Sequence, residues 1–230
     1  MKKIGLIGGM SWESSAEYYR LINEQVKENL GGLHSAECIL YSVDFEEIEH
    51  DQQTGNWDRA GERLGQAALS LEKASADVIV ICTNTMHKVI QSIEEKISIP
   101  VLHIADATAN ALKEAQIQTV GLLGTKYTME QTFYKSRIEQ QGIQVVVPTE
   151  DRRSKINEII FDELCLGKME TDSRVYFQET IKQLKEQGAE GVILGCTEIG
   201  LLIKPEDSAL AVFDTTVIHA KEAVNWSLKK

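Results

Sequence analysis

An internal repeat constrains this chain more than any other feature. The segment KIGLIGGM at Lys3–Met10 has a counterpart in TVGLLGT at Thr119–Thr125, and ADVIVICT at Ala76–Thr83 has one in EGVILGCT at Glu190–Thr197. The two matches run nearly in phase, since Gly5 precedes Cys82 by 77 positions and Gly121 precedes Cys196 by 75. A weaker echo relates VLH at Val101–His103 to VFD at Val212–Asp214. A period this long describes a duplicated domain, because solenoid repeats run to only about 20 to 50 residues. With 230 residues the chain has room for two domains near the common size of about 100 to 200.

Within each copy, short apolar runs alternate with longer stretches of helical period. Strands are expected at Ile4–Ile7, Cys38–Val43, Val78–Cys82, Val101–His103, Val120–Leu123, Gln144–Val147, Val192–Gly195 and Ala211–Phe213. A helix is expected over Ala16–Asn29, ended by Gly31 and Gly32. Continuous Val, Ile and Leu, without alternation, fit parallel strands buried on both faces. The expected fold is α/β: two pseudo-symmetric domains, each a mostly parallel sheet flanked by helices, with the active site in the interdomain cleft. The third echo puts the final strand and helix in the role that Val101 onward plays in the first half. That assigns 1–103 plus 211–230 to an N-terminal domain closed by the C-terminal strand and helix, and 104–210 to the second.

Charge and composition narrow the functions. A formal net charge of -11 argues against a nucleic-acid surface, which needs clustered Lys and Arg. No apolar stretch approaches the roughly 18 residues of a membrane span, and the run after Lys3 soon meets Gly8, Gly9, Trp12 and Glu13. A cytosolic protein without membrane or nucleic-acid partners is expected. The four cysteines, at 38, 82, 165 and 196, have no C-x-x-C spacing, and free thiols are the default.

In open α/β sheets ligands bind beyond the carboxyl ends of strands, where both Cys-Thr pairs lie. A lone strand-end cysteine is more often a small buried hydrophobe than a catalytic group. Two at equivalent ends of duplicated domains can converge on one cleft from opposite sides, as a two-base exchange of an α-proton requires. Cys38 and Cys165 lack such twins and read as packing residues. The loop Gly8–Gly9–Met10–Ser11 is not the dinucleotide fingerprint G-x-G-x-x-G, but its glycines would let backbone approach a small ligand. Thr83, Asn84 and Thr85 at one strand end, and Thr197 and Glu198 at the other, can cap helices or bind a carboxylate with the same amide groups. His87, His103 and His219 match no zinc spacing and receive no role. The acidic stretch Asp44, Glu46, Glu47, Glu49 and Asp51 reads as a solvated loop or helix face.

Three signatures, Gly8-Gly9-Met10, CTNT at Cys82–Thr85 and GCTE at Gly195–Glu198, resemble the aspartate/glutamate racemase family over essentially the whole chain. WES at Trp12–Ser14, GLHS at Gly32–Ser35, TNTMHK at Thr83–Lys88 and HIAD at His103–Asp106 are similar to the broad-specificity amino acid racemases within it. The resemblance implies a two-domain, usually dimeric α/β enzyme that uses neither pyridoxal phosphate nor metal. Cys82 and Cys196 would exchange the α-proton of an amino acid, one as thiolate and the other as thiol. The substrate carboxylate would sit on Asn84, Thr85, Thr125 and Thr197, beside Thr83 and Thr128, with Met10 walling the pocket. Helix N-termini are expected to lower the thiol pKa values. Aspartate racemases of the family hold the second carboxylate with an arginine and a lysine. Those positions fall near Glu47 or Glu49 and at Cys165 here, which points to neutral or basic substrates. The competing readings are a maleate isomerase or arylmalonate decarboxylase-like enzyme, and an amino acid binding protein without turnover.

Overall fold

The computed structural model describes residues 1–229, which form two four-stranded parallel sheets with the same topology. In the first, β1 (Ile4–Gly8) is followed by α1 (Trp12–Leu30), β2 (Cys38–Ser42), α2 (Phe45–Gln53), α3 (Trp57–Lys73), β3 (Val78–Ile81), a 3-10 turn at Thr85–Val89, α4 (Ile90–Glu94) and β4 (Val101–Leu102). The strand order is β2-β1-β3-β4. After α5 (Ile104–Glu114) the second copy runs β5 (Thr119–Gly124), α6 (Lys126–Glu130), α7 (Thr132–Glu139), β6 (Gln144–Val146), α8 (Glu150–Asp162), α9 (Thr171–Glu186), β7 (Gly191–Gly195), α10 (Ile199–Leu202), β8 (Ala211–Asp214) and α11 (Thr215–Leu228). Its order, β6-β5-β7-β8, repeats the first.

β1, β3 and β7 are buried along their whole length, which explains their unbroken apolar sequences. Alternate residues serve opposite faces. Ile4, Leu6, Val78 and Val80 pack with Tyr18, Ile22 and Val26 of α1 and with Ala220, Ala223 and Val224 of α11. Ile7, Ile79 and Ile81 pack instead with Leu64, Ala68 and Leu71 of α3. Helix α1 starts four residues before its expected first residue, because the Ser11 hydroxyl caps it by accepting from Ser14 N at 3.2 Å. Gly31, at φ 73°, ends it as expected. All eight expected strands form, with ends shifted by a residue or so.

The expected assignment of 211–230 to the first domain differs from the structure at the strand. β8 pairs with β7, from Gly191↔Ala211 to Leu194↔Asp214, and completes the second sheet. The first unit comprises Met1–His103 and resumes at His219, while the second is Ile104–Ile218. The reason is register: β4 already occupies the edge of β3, so the equivalent strand serves its own sheet, and only the helix after it changes unit. Residues from His219 onward pack in the first unit, and α5, which follows β4, belongs to the second. Among the described residues no helix is long and apolar enough to cross a membrane.

Tyr18 ties α1 to α11 through its hydroxyl, 2.9 Å from His219 Nδ1, and both residues are fully buried. Removing one partner of a buried hydrogen bond leaves the other unsatisfied, at a cost of about 1–3 kcal/mol. Tyr18→Phe is therefore expected to lower the urea midpoint by an amount corresponding to that range, with the slope unchanged. An unchanged midpoint would show that this contact does not hold α11.

Candidate active site

In the first unit the carboxyl ends of β1 and β3 lie side by side, with Ile7 opposite Ile81. The loop Gly8–Ser11 therefore leaves the sheet next to Cys82, whose N–H donates to Ile7 O at 2.9 Å. The glycines are sterically required. A Cβ on Gly8 would lie 2.8 Å from Ser15 Cβ, and Gly9 has φ +92° with Val43 N 2.6 Å from where its Cβ would be. Ser15 completes the loop by accepting from Gly9 N at 2.7 Å. Met10, Cys82, Asn84 and Thr85 are all buried, and Thr83 is half-buried. Met10 packs in the apolar cluster with Ile48 and Met86. The Cys82 carbonyl accepts from Ser14 Oγ at 2.9 Å, and the Thr83 carbonyl lies 2.9 Å from His87 Nδ1.

The second unit repeats the arrangement with different chemistry. Gly124 is opposite Gly195, and a Cβ on Gly124 would lie 2.9 Å from Gly195 O and 3.2 Å from Thr128 Cβ. The glycine pair thus lets buried Thr128 pack against the end of β7 that leads into Cys196. Thr125 caps α6 by accepting from Thr128 N at 3.3 Å, and the two hydroxyls are 3.2 Å apart. Ser11 and Ser14 are their counterparts at the start of α1. The two positions by which the repeats differ in length fall in the loop before these caps. Thr197 and Glu198 are buried, and Cys196 is half-buried. The Cys196 thiol donates to Glu198 Oε2 at 2.9 Å, and Thr197 Oγ1 donates to the same oxygen at 2.7 Å.

Glu198 was legible in the sequence as a capping or carboxylate-binding position within the GCTE signature, not as a partner of the thiol, and Ser14 and His87 were not singled out as site residues. The repeat held the signal for Glu198, because aligning Cys82 with Cys196 sets Asn84 against it. Identical backbone positions thus carry a carboxamide in one unit and a carboxylate in the other.

Both thiols differ from expectation in their electrostatics. Burial pushes the Cys82 thiol far above the usual range, with a smaller contribution from Cys38. Burial also raises Cys196, reinforced by the Glu198 carboxylate. The elements that follow the cysteines are a five-residue 3-10 turn and a four-residue helix. Their dipoles are too short to offset desolvation.

The acidic stretch also differs. It forms α2 and its cap Asp44; Asp51 is fully buried and pairs with the partly exposed Arg59 and Arg63, and Glu47 pairs with Arg63. Glu47 is thus paired from α3, whereas Glu49 accepts from Gln53 of its own helix. Asp44, Glu47, Glu62 and Arg63 line a depression of about 450 Å³. Cys165 packs against the second unit's core. Among the described residues there is no cluster of three or more His, Cys, Asp or Glu arranged to hold a metal ion.

With both thiol pKa values raised, alkylation at pH 7 is expected to leave Cys82 unmodified while a free model thiol reacts fully. Rapid modification of Cys82, mapped by peptide mass spectrometry, would show that its thiolate is stabilised in the folded protein.

Comparison with known proteins agrees with the sequence signatures. The family model described as Asp/Glu/Hydantoin racemase matches residues 7–223. A crystal structure of a putative Asp/Glu racemase from Yersinia pestis is 54% identical, with all of both chains covered and a TM-score of 0.92. PH1733, an aspartate racemase homologue from Pyrococcus horikoshii OT3, is 35% identical over the full length of both chains, with a TM-score of 0.86. The broad specificity amino-acid racemase RacX of Bacillus subtilis is 22% identical, over 98% of each chain.

Proposed function

The chain belongs to the Asp/Glu/hydantoin racemase family, and from that premise we propose that it interconverts L- and D-amino acids with Cys82 and Cys196 as the two acid-base groups. The observation that carries the reading is the duplicated strand-end turn: each unit brings one thiol, a polar capping pair and a threonine to the same point of the same topology. One cysteine, as thiolate, takes the α-proton, and the other, as thiol, delivers a proton to the opposite face of the α-carbon. The reverse reaction exchanges their roles. Two thiols differing by one proton are sufficient for the proton balance.

Glu198 gives a route to the thiolate in a buried site. When Cys196 transfers its proton to Glu198 Oε2, the sulfur becomes anionic and the carboxyl neutral, so the pair keeps its charge and no ion need be created inside the protein. Thr197 keeps its hydrogen bond to the carboxyl throughout. Cys82 has Asn84 at the equivalent position, and its thiol points to the Val80 carbonyl at 4.0 Å, which cannot take up a proton, so the two half-reactions differ. Asn84, Thr85, Thr125, Thr128 and Thr197 bind the substrate carboxylate and stabilise the charge that moves onto it as the α-proton leaves.

Neutral or basic amino acids are the preferred substrates under this reading. Arg63 is engaged by Glu47 and Asp51, and Cys165 supplies no cation, so a second substrate carboxylate would lack charge-assisted partners. The family premise extends to a cytosolic homodimer that binds no nucleic acid and needs no cofactor; sedimentation equilibrium would test the assembly.

Incubation with single amino acids in D2O, followed by NMR, is expected to show loss of the α-proton signal, with homoserine, lysine and arginine ahead of aspartate and glutamate. Cys82→Ala and Cys196→Ala should each reduce racemisation by at least about 10³-fold, more than the 10²–10⁴ range's lower end for a single acid-base group. Racemisation retained by either variant would refute the two-thiol scheme, and aspartate as the best substrate would refute the specificity reading.

Glu198→Gln is expected to lower kcat/KM by about 10²-fold. Enantiomers have equal free energies, so kcat/KM must fall equally in both directions. The asymmetry of the site would appear in the separate kcat values, measured from each pure enantiomer by polarimetry. Unchanged kinetics would leave Glu198 a capping residue only.

A further inference from the structure

Three buried histidines of the first unit meet behind the Cys82 turn. His87, His103 and His219 are 1%, 7% and 0% exposed. The ring of His87 lies 4.6 Å from that of His103 and 5.7 Å from that of His219, centroid to centroid. Their sequence positions are informative: His103 is the last residue before the chain leaves the first unit, and His219 is the residue at which it returns.

The tautomers follow from the partners. A carbonyl oxygen can only accept, so His87 must donate Nδ1–H to Thr83 O. His219 likewise donates Nε2–H to Leu102 O, 3.0 Å away, which leaves its Nδ1 to accept from the Tyr18 hydroxyl. The His219 ring is therefore neutral in this arrangement. Burial, with His87 adding to it, pushes the His219 pKa down to about 3.

We propose that His87 is a positioning residue for Cys82: it holds the Thr83 carbonyl while Ser14 holds the Cys82 carbonyl, so the backbone that carries the thiol is fixed on both sides. Ile7 O accepts from Cys82 N, Ser14 Oγ donates to Cys82 O, and His87 donates to Thr83 O, each at 2.9 Å. His103 and His219 fix the His87 ring from behind. In the second repeat Leu201 stands where His87 stands in the first, and its side chain has no donor. There the thiol itself is held, by Glu198. The two cysteines are thus positioned by different means, Cys82 through its backbone and Cys196 through its sulfur. The inference rests on the racemase reading above, and displacement of an acid-base group by about 1 Å costs about 10²-fold in rate.

Two substitutions separate positioning from packing. Asn places an amide nitrogen where His has Nδ1, two bonds beyond Cβ, whereas Gln places its nitrogen where His has Nε2. With the best substrate of the exchange panel, His87→Gln is expected to lower kcat by about 10–100-fold with KM within about threefold of wild type. His87→Asn should restore kcat to within about threefold. A melting curve for each variant checks that the fold is retained. Equal kcat values for Asn and Gln, or a loss carried by KM, would overturn the proposal. An ¹⁵N-imidazole NMR spectrum of the wild-type protein provides a readout independent of activity. A protonated Nδ1 on His87 supports the clamp, and a protonated Nε2 with bare Nδ1 overturns it. Wild-type protein without α-proton exchange on any amino acid would refute the racemase reading, while the imidazole spectrum would still decide the hydrogen bond.

Discussion

The parallel pairing of β1 with β3, and of β5 with β7, is the constraint on which the rest depends. Parallel neighbours share a carboxyl edge but cannot be joined by a tight turn, so each pair requires a long crossover. In the first unit that crossover contains α1, β2, α2 and α3. Residues far apart in sequence, Gly8 to Ser14 and Cys82 to His87, therefore emerge at one edge with their relative height set by the ladder. The same holds in the second unit, where the Gly124↔Gly195 pair lets Thr128 approach the strand end that leads into Cys196.

Burial then dominates the chemistry of that edge. A strand-end thiol beside a helix start has two opposing influences, the partial positive charge of the amides and the loss of water. The short elements after Cys82 and Cys196 make the first weak, and nearly complete enclosure of Cys82 makes the second strong. A buried carboxylate next to Cys196 raises that thiol further while offering its proton a destination. Raised pKa and catalytic competence are compatible when the proton moves within a pair rather than out to solvent.

Duplication has left the two copies alike in backbone and different in side chain. Ser11 and Ser14 correspond to Thr125 and Thr128, while Asn84 corresponds to Glu198 and His87 to Leu201 in the repeat alignment. Backbone correspondence follows from shared topology, which tolerates substitution as long as capping and glycine contacts survive. The side-chain differences accumulate at the positions nearest the thiols, where a reaction with two chemically distinct directions allows each copy its own means of support.

From its sequence alone the chain determined the α/β class, the duplication, the eight strands, and the pairing of Cys82 with Cys196 as equivalent strand ends. These are local or periodic properties: apolar run length, glycine placement and repeat phase are written residue by residue. Tertiary structure decided the rest. The echo at Val212–Asp214 could not say which sheet the last strand joins, because that depends on which edge is vacant, and β4 had taken the other. Asp51 read as a solvated acid, yet it is buried because Arg59 and Arg63 arrive from the next helix. His87, His103 and His219 looked like three unrelated residues, and only folding brought their rings together behind Cys82. Hydrogen-bond partners and desolvation depend on distances across the fold, and no spacing along a chain encodes those until the sheet fixes them.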